Sequence, residues 1–230
     1  MENISDQQIL QALKKTQEEF RFPDAKLELI SEECFPDMFK ALKECFLTDE
    51  PLEKSLEMSW SSDVEDLWLS ALRYRMSLMV VNENNGDIMG MRVIRVTKQS
   101  DHFNIDEIKD EKVRKIVDFF EYSSENFNFF AKYSISEMFE FFGLGVMPKY
   151  RRHGLGTLLV ETGVKFLCNL QKPCYIKGSA SSNYSKKIFE KCGFDMLAEF
   201  PFEDYKVDGK VVFDNTGEHK SVKVYGKCLK

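Results

Sequence analysis

The stretch that decides the fold is Gly145-Val146-Met147-Pro148-Lys149-Tyr150-Arg151-Arg152-His153-Gly154-Leu155-Gly156-Thr157. It places basic residues and glycines between an apolar strand and the start of a helix. The first N–H groups of a helix have no partner within the helix, and glycine lets a ligand come close to the backbone. Because the helix dipole adds positive potential at the same point, the stretch predicts an anion-binding loop.

Two common nucleotide-binding loops do not match this stretch. Leu159 stands where the dinucleotide fingerprint needs its third glycine, and the Lys-Ser/Thr ending of a P-loop is missing. A plain tight turn is the alternative on these residues alone, because turns need glycine for backbone reasons.

The segments on either side of the loop predict a mixed α/β fold. Ser136–Val146 is a long apolar strand, which we expect at the centre of a sheet with both faces covered. Gly154–Leu170 has its apolar residues at helical spacing. Periodicity and turn residues predict the other elements. These are strands at Leu27–Ile30, Ser77–Val81, Ile88–Val96, Cys174–Lys177, Met196–Phe200 and Ser221–Cys228, and helices at Pro36–Phe46, Asp63–Arg73, Ile105–Phe120 and Asn183–Cys192.

No internal repeat or linker divides the sequence, so we expect one domain over residues 1–230, with residues 1–25 as an N-terminal extension or helix. The first twenty residues and Asp204–Lys220 have the loosest pattern. A proline pushes the residue before it out of the helical region, so Pro51 ends the preceding helical stretch. Glu50 is therefore expected on a turn with extended backbone.

The composition is that of an ordinary globular protein, with 43% hydrophobic and 30% charged residues among 230 and a net charge of −6. The basic residues form no block, so we expect no nucleic-acid partner. No apolar stretch reaches the roughly 20 residues that span a bilayer, and the N-terminal residues lack a secretory pattern. We therefore expect a cytoplasmic protein without a membrane partner.

The cysteines and histidines do not suggest metal binding. The six cysteines form no CxxC pair and fall within apolar or helical stretches, so they are expected to be buried thiols in a reducing compartment. His102, His153 and His219 are too scattered for a metal site. We expect no metal cofactor.

Arg151-Arg152-His153-Gly154-Leu155-Gly156 resembles the Q/R-x-x-G-x-G/A motif of the GNAT acetyltransferase superfamily. The later run from Asn183 through Lys187 to Gly193-Phe194 resembles the second cofactor motif of that family. The resemblance implies a mixed, mostly antiparallel sheet flanked by helices, with two central strands splayed to hold acetyl-CoA. It implies the following cofactor-binding residues: Leu144, Gly145, Val146, Arg151, Arg152, His153, Gly154, Leu155, Gly156, Thr157, Asn183 and Lys187.

A narrower resemblance covers nearly the whole chain. Phe46-Leu47-Thr48-Asp49-Glu50-Pro51-Leu52 is similar to the D/E-E-P-L motif of insect arylalkylamine N-acetyltransferases, and Ser181-Ser182-Asn183-Tyr184-Ser185 is similar to their serine-containing segment. The resemblance implies Glu50 as general base, with Ser181 and Ser185 in substrate binding and catalysis. An alkylammonium needs such a base, because it cannot attack a thioester while protonated. Without the resemblance, a solvated turn carboxylate is the favoured interpretation of Glu50.

One residue departs from the broader superfamily. Phe189 stands where the vertebrate arylalkylamine enzymes have a tyrosine proposed to protonate the departing thiolate. The general acid is therefore open, with Ser185, Tyr184 or a water as candidates.

The sequence-based hypothesis is a cytoplasmic monomer that transfers acetyl from acetyl-CoA to a small arylalkylamine, of the dopamine, tyramine, octopamine, serotonin or tryptamine type. The alternative enzyme is a GNAT acetyltransferase for polyamines, agmatine or another aliphatic amine. A catalytically silent acyl-CoA-binding domain is the alternative from a different class.

Overall fold

A computed structural model describes residues 4–101, 104–172 and 174–229. Its strands are, in chain order, β1 (Ala25–Leu29), β2 (Leu78–Asn82), β3 (Ile88–Lys98), β4 (Glu137–Val146), β5 (Cys174–Ala180), β6 (Asp195–Pro201), β7 (Lys206–Val207), β8 (Lys210–Val211) and β9 (Ser221–Leu229). Its α-helices are α1 (Asp6–Glu19), α2 (Phe35–Leu42), α3 (Pro51–Ser55), α4 (Ser62–Leu72), α5 (Glu111–Asn126), α6 (Phe129–Tyr133), α7 (Leu155–Asn169) and α8 (Asn183–Lys191).

The main sheet has seven strands in the order β1-β2-β3-β4-β5-β9-β6. Every neighbouring pair is antiparallel except β4 and β5, which run parallel and are connected through α7. The predicted mixed, mostly antiparallel sheet is confirmed, and β4 lies at its centre. The predicted strand–loop–helix order at the glycine-containing stretch is confirmed as well.

Helices cover both faces of the sheet. On one face α1 and α7 pack over buried side chains that include Phe139 and Phe141 of β4. On the other face α2 and α4 pack over Met91 and Val93 of β3. Burying a large apolar side chain contributes about 1.5–3 kcal/mol, so these two layers supply the main stabilisation of the fold.

The N-terminal segment is better ordered than its pattern indicates. Ser5 and Gln8 form a reciprocal capping box at the start of α1, and Ile9, Ala12 and Thr16 are buried against the rest of the protein. The expectation of a loose N-terminal segment is therefore wrong for the described residues. A narrow buried stripe among polar residues gives a weak periodic signal, which explains the error.

Three other expectations need correction. The helix predicted over Pro36–Phe46 ends at Leu42 and continues as a π-helix over Lys43–Leu47. The segment Asp204–Lys220 contains the β7–β8 hairpin and a fully buried Phe213. Cys168 and Cys228 are exposed, so the prediction of buried thiols is wrong for these two. No helix among the described residues is long and apolar enough to cross a membrane.

Candidate active site

The two central strands separate along half of their length. Strand β4 pairs with β5 only at Phe139, Glu140 and Phe141, whereas it pairs with β3 along its whole length. A bulge at Phe142 interrupts the β3–β4 register at the point where the β5 pairing ends. A bulge bends its strand, so it accounts for the divergence of β4 from β5. The splayed strands expected from the family resemblance are present.

Backbone groups of β4 face the open gap. The Met147 N–H donates to the Met89 carbonyl on the β3 side, at 3.0 Å. Because N–H direction alternates along a strand, the N–H groups of Leu144 and Val146 point toward the β5 side instead. The Val146 carbonyl accepts a bond from the Arg151 side chain, at 2.8 Å, which agrees with this direction. The N–H of Gly145 points to β3, although Gly145 also lines the cleft.

The N-terminus of α7 opens into the same cleft. Gly154 precedes the helix with φ +83°, a conformation that glycine adopts without strain, and no side chain of the described residues caps the helix. By contrast, α1, α4, α5 and α8 each receive a side-chain oxygen on their first N–H groups. Nothing lies within 4 Å of the direction in which a Gly154 Cβ would point. The first turn of α7 is therefore open to an anion.

The basic residues of the loop have different surroundings. Arg151 bonds the Val146 carbonyl and forms an ion pair with Asp49, so its guanidinium ties the loop to the turn before Glu50. Arg152 is exposed and lines the cleft, as does Lys187 of α8. Neither His153 nor Asn183 is among the residues that line it, so the structure does not bring these two expected contacts to the cleft.

Glu50 lines the same cleft, on the predicted turn. It has extended backbone (φ −71°, ψ 124°) and precedes α3, where its Oε2 accepts the Glu53 N–H at 2.8 Å. Burial raises the pKa of Glu50, while the Ser181 hydroxyl and the first amides of α3 act against this rise. A carboxylate with a raised pKa beside a large cleft has the properties of a general base.

Three serines lie at the start of α8. The Ser181 hydroxyl is within hydrogen-bonding reach of the Glu50 carboxylate. Ser182 caps the helix by accepting the Ser185 N–H, and the Ser185 hydroxyl lies 2.8 Å from the Ser182 hydroxyl and 3.0 Å from its carbonyl. Ser181 and Ser185 both line the cleft, so the structure brings both expected serines to the side of Glu50.

The loop that contains Glu218 and His219 contacts the start of α8, and the sequence did not predict this contact. The Asn183 N–H donates to His219 Nδ1 at 3.1 Å, and its side chain donates to the Glu218 carbonyl. Tyr184 is exposed, and its hydroxyl donates to the Glu218 carboxylate at 2.9 Å. These contacts span about 35 residues of chain, and no local pattern indicates them.

Phe189 lies in the core beneath the gap. Its ring is 2% exposed, stacks on Tyr225 at 5.2 Å, and occupies the space in which a Cβ on Gly178 would fall 2.4 Å from a ring atom. A glycine at 178 is therefore required by the ring. Phe189 carries no proton to donate, as the sequence indicates.

An aromatic wall lines the cleft near Glu50. Trp68 of α4 packs edge-on against Phe46 at 4.6 Å and against Phe142 at 5.3 Å, and all three line the cleft. Phe139 and Phe141, on the same strand as Phe142, are fully buried in the core. Trp68 was missed, although its helical spacing with Val64, Ala71 and Leu72 places it on the buried face of α4.

A buried ion network holds the closed end of the gap. Glu140 of β4 pairs with Arg95 of β3 at 2.6 Å, accepts the Thr97 hydroxyl at 3.0 Å, and lies 4.0 Å from Lys177 of β5. Burial would raise the pKa of Glu140, but these partners outweigh it and hold the pKa at about 2. The network ties three strands together beside the bulge.

Arg92 lines the cleft from the opposite face of the sheet. It is 1% exposed, and burial lowers the pKa of its guanidinium to about 9. Its Nε and Nη1 have no hydrogen-bond partner within the described part of the chain. The ring of Phe141, 4.7 Å away, offsets part of the cost through a cation–π contact.

The cleft has room for a cofactor arm and an acceptor together, with a volume of about 1830 Å³. The uncapped start of α7 fits the pyrophosphate of acetyl-CoA. The open gap between β4 and β5, with β4 amides that face it, fits the amide-containing arm. No group of three or more metal-ligating side chains was found among residues 4–101, 104–172 and 174–229. His102 lies outside the described residues.

Comparisons with known proteins agree with this geometry. Residues 35–194 match the model of the acetyltransferase (GNAT) family. The structure is similar to arylalkylamine N-acetyltransferase 2 from Aedes aegypti, with a TM-score of 0.84 and 24% identity over 90% of this chain and 100% of the other.

Two further solved structures share the fold. One is a Drosophila melanogaster polyamine N-acetyltransferase that catalyses formation of N-acetylagmatine, with a TM-score of 0.78 and 17% identity over 90% of this chain and 100% of the other. The other is the C-terminal condensation domain of Ebony in complex with beta-alanyl-dopamine, with a TM-score of 0.73 and 14% identity over 89% and 99%.

Proposed function

Since the chain belongs to the GNAT family of acetyltransferases, which use acetyl-CoA to acetylate amines, we propose that its acceptor is the primary amine of an arylalkylamine and that Glu50 is the general base. The acceptor is of the dopamine, tyramine, octopamine, serotonin or tryptamine type. The observation that carries the proposal is the position of Glu50, a carboxylate with a raised pKa that lines the same cleft as Ser181 and the aromatic wall.

Acetyl-CoA supplies a thioester whose carbonyl carbon is attacked by the acceptor nitrogen. The first amides of α7, over Leu155–Thr157, hold the pyrophosphate, with Arg152 and Lys187 as charged neighbours at the rim. The Leu144 and Val146 N–H groups orient the arm and stabilise the negative charge that develops on the carbonyl oxygen. Arg151 also lines the cleft and positions this loop through its ion pair with Asp49.

Glu50 accepts the proton that the ammonium group must lose before attack. A raised pKa makes this carboxylate a stronger base than an exposed glutamate, and it is active only when ionised. Activity must therefore fall as the pH drops through the raised pKa. Ser181, within hydrogen-bonding reach of Glu50, holds the carboxylate in place.

Among the candidates for the general acid, Tyr184 is exposed and bonded to Glu218. Ser185 lines the cleft, but its hydroxyl has partners in Ser182. We propose that Ser185 or a water held by it protonates the leaving thiolate.

The aromatic wall formed by Phe46, Trp68 and Phe142 favours an aromatic acceptor, since edge-to-face ring contacts contribute about 0.5–1.5 kcal/mol beyond buried area. The solved Aedes enzyme named above is an arylalkylamine N-acetyltransferase, which agrees with this choice. A second candidate is an agmatine or polyamine acetyltransferase. Its support is Glu53, a further cleft-lining carboxylate, and the likeness to the Drosophila enzyme.

An amine panel with acetyl-CoA, followed by release of free thiol, tests the proposal. We expect the highest kcat/KM with tyramine, dopamine, octopamine, serotonin or tryptamine. A higher kcat/KM with agmatine or spermidine than with every arylalkylamine would replace the acceptor by the second candidate. Thiol release no faster than in the absence of amine would leave the silent acyl-CoA-binding domain as the better description.

A further inference from the structure

Glu53 is a second carboxylate that the mechanism above does not use. It lies one turn after Glu50, in the first turn of α3, and lines the same cleft. Its Oε2 has no accessible surface and no hydrogen-bond partner among the described residues. An enclosed carboxylate oxygen without a partner is costly, so it calls for an explanation in terms of a bound proton or a bound cation.

The local backbone explains why this side chain turns into the cleft. A glutamate at the third position of a helix commonly reaches back to the N–H of the capping residue. Here the Glu50 N–H is already bonded to the Phe46 carbonyl of the π-helix, at 2.9 Å. Only half of the capping box forms, in which the Glu53 N–H donates to Glu50 Oε2. The Glu53 carboxylate is thereby left without its usual partner.

The elements packed around the pair do not neutralise it. Of the nearby charged groups, Asp49 pairs with Arg151, Lys112 of α5 donates to the Glu57 carbonyl, Lys54 is exposed, and His219 Nδ1 accepts the Asn183 N–H. From α5, Ile116 and Phe120 line the cleft with apolar surface. Burial and the neighbouring Glu50 raise the pKa of Glu53 to about 8.

We propose that Glu53 and Glu50 together form the site that receives the reacting ammonium group of the acceptor, with Glu53 binding the cation and Glu50 removing its proton. This inference rests on the proposed function and adds a specificity-determining residue to it. The free pair holds one proton, since two adjacent enclosed carboxylates do not both ionise readily. A bound ammonium supplies the missing positive charge and allows both to ionise.

The proton balance is complete without any further reactant. The ammonium R–NH₃⁺ gives one proton to Glu50, which passes it to solvent. The nitrogen then forms the C–N bond while the C–S bond breaks. Its second proton goes to the thiolate through Ser185 or water, so the products are the N-acetylamine and free thiol.

The test compares Glu53→Gln with Glu57→Gln, which removes the same charge from an exposed residue just after α3. For Glu53→Gln we expect the KM for tyramine to rise roughly tenfold or more, with the KM for acetyl-CoA unchanged. The acidic limb of kcat/KM for tyramine should lose the contribution of Glu53, because Glu53 must give up its proton before it binds the cation. Glu57→Gln should match the wild type in the KM for tyramine, the KM for acetyl-CoA and the pH profile. Glu53→Asp should recover part of the affinity for tyramine.

The outcomes separate this inference from the function that it rests on. If the wild type acetylates tyramine and Glu53→Gln matches Glu57→Gln in KM and pH profile, the inference is wrong and the function stands. If Glu53→Gln weakens agmatine alone and leaves tyramine unchanged, Glu53 binds a second charge and the inference is also wrong. If the wild type acetylates no amine, calorimetry of tyramine binding decides, and equal affinity in wild type and Glu53→Gln would overturn the inference.

Discussion

Two groups of enclosed carboxylates line the same cleft, and their pKa values are shifted in opposite directions. At the closed end of the gap, Glu140 is held by Arg95 and Lys177, and its pKa lies at about 2. On α3 and the turn before it, burial raises the pKa values of Glu50 and Glu53, and neither has a cation as partner in the described part of the chain. Burial alone would shift all three pKa values upward, so the partners decide the difference.

Glu140 has a structural role, whereas Glu50 and Glu53 are suited to a chemical one. A carboxylate at pKa about 2 is ionised at every pH at which the enzyme is expected to act, so it neither takes nor gives a proton there. Its contribution to stability is present at neutral pH and is lost as the pH falls from about 4.5 toward 2. Glu50 and Glu53 change their protonation nearer to neutrality, which is where a base is useful.

The largest effect is expected for Glu50→Gln, which keeps the size of the side chain and removes its basicity. Loss of a positioned base should lower kcat by about 10²–10⁴-fold. Acetyl-CoA affinity should change little, because Glu50 is not one of the loop and α7 groups proposed to hold the pyrophosphate. Steady-state kinetics and calorimetry check both, and a wild-type kcat in this variant would mean that the proton leaves by another route.

Glu140→Gln should act on stability instead. It leaves Arg95 and Lys177 enclosed without their counter-charge, which typically costs about 3–5 kcal/mol in the free energy of unfolding. Urea unfolding measures the cost. Glu19→Gln is the control, since it breaks an exposed ion pair with Lys165 and should change the free energy little. Equal unfolding curves for the two variants would contradict the role given to the network.

A smaller effect is expected for Gly154→Val at the anion site. The side chain forces strain at φ +83° and narrows the approach to the α7 amides, so acetyl-CoA affinity should fall roughly tenfold or more. Gly86→Val is matched to it, because Gly86 also has positive φ (+76°) and open space around it, but lies in the β2–β3 turn. Calorimetry showing equal losses in both variants would mean that strain alone, and not the anion site, is responsible.

The features of the fold and the site that the sequence predicts are those set by local pattern. An apolar run forms β4, and a proline, basic residues and a glycine follow it before α7. A local physical reason explains the conformation of each. Glu50 is extended because Pro51 follows it. The acetyltransferase resemblance rests on the same contiguous stretches, and the family match confirms it.

What sequence missed depends on contacts between distant segments. Glu53 lacks its usual capping partner because a π-helix carbonyl already accepts the Glu50 N–H, and no residue pattern predicts a π-helix there. Asn183 turns to the loop at Glu218 and His219 instead of the cofactor gap, because a distant segment supplies its partners. His153 matches the family motif by position, yet it lies outside the cleft wall.

The central claim is that Glu50 is the base of an amine acetyltransferase, and the pH dependence of kcat tests it most directly. Saturating acetyl-CoA and tyramine remove binding from the measurement, and the same substrates in wild type and Glu50→Gln cancel the ionisation of the amine itself. We predict a wild-type acidic limb above the ordinary carboxylate range near pH 4.5, and no such limb in Glu50→Gln. An identical limb in both proteins would contradict the assignment of Glu50 as the base.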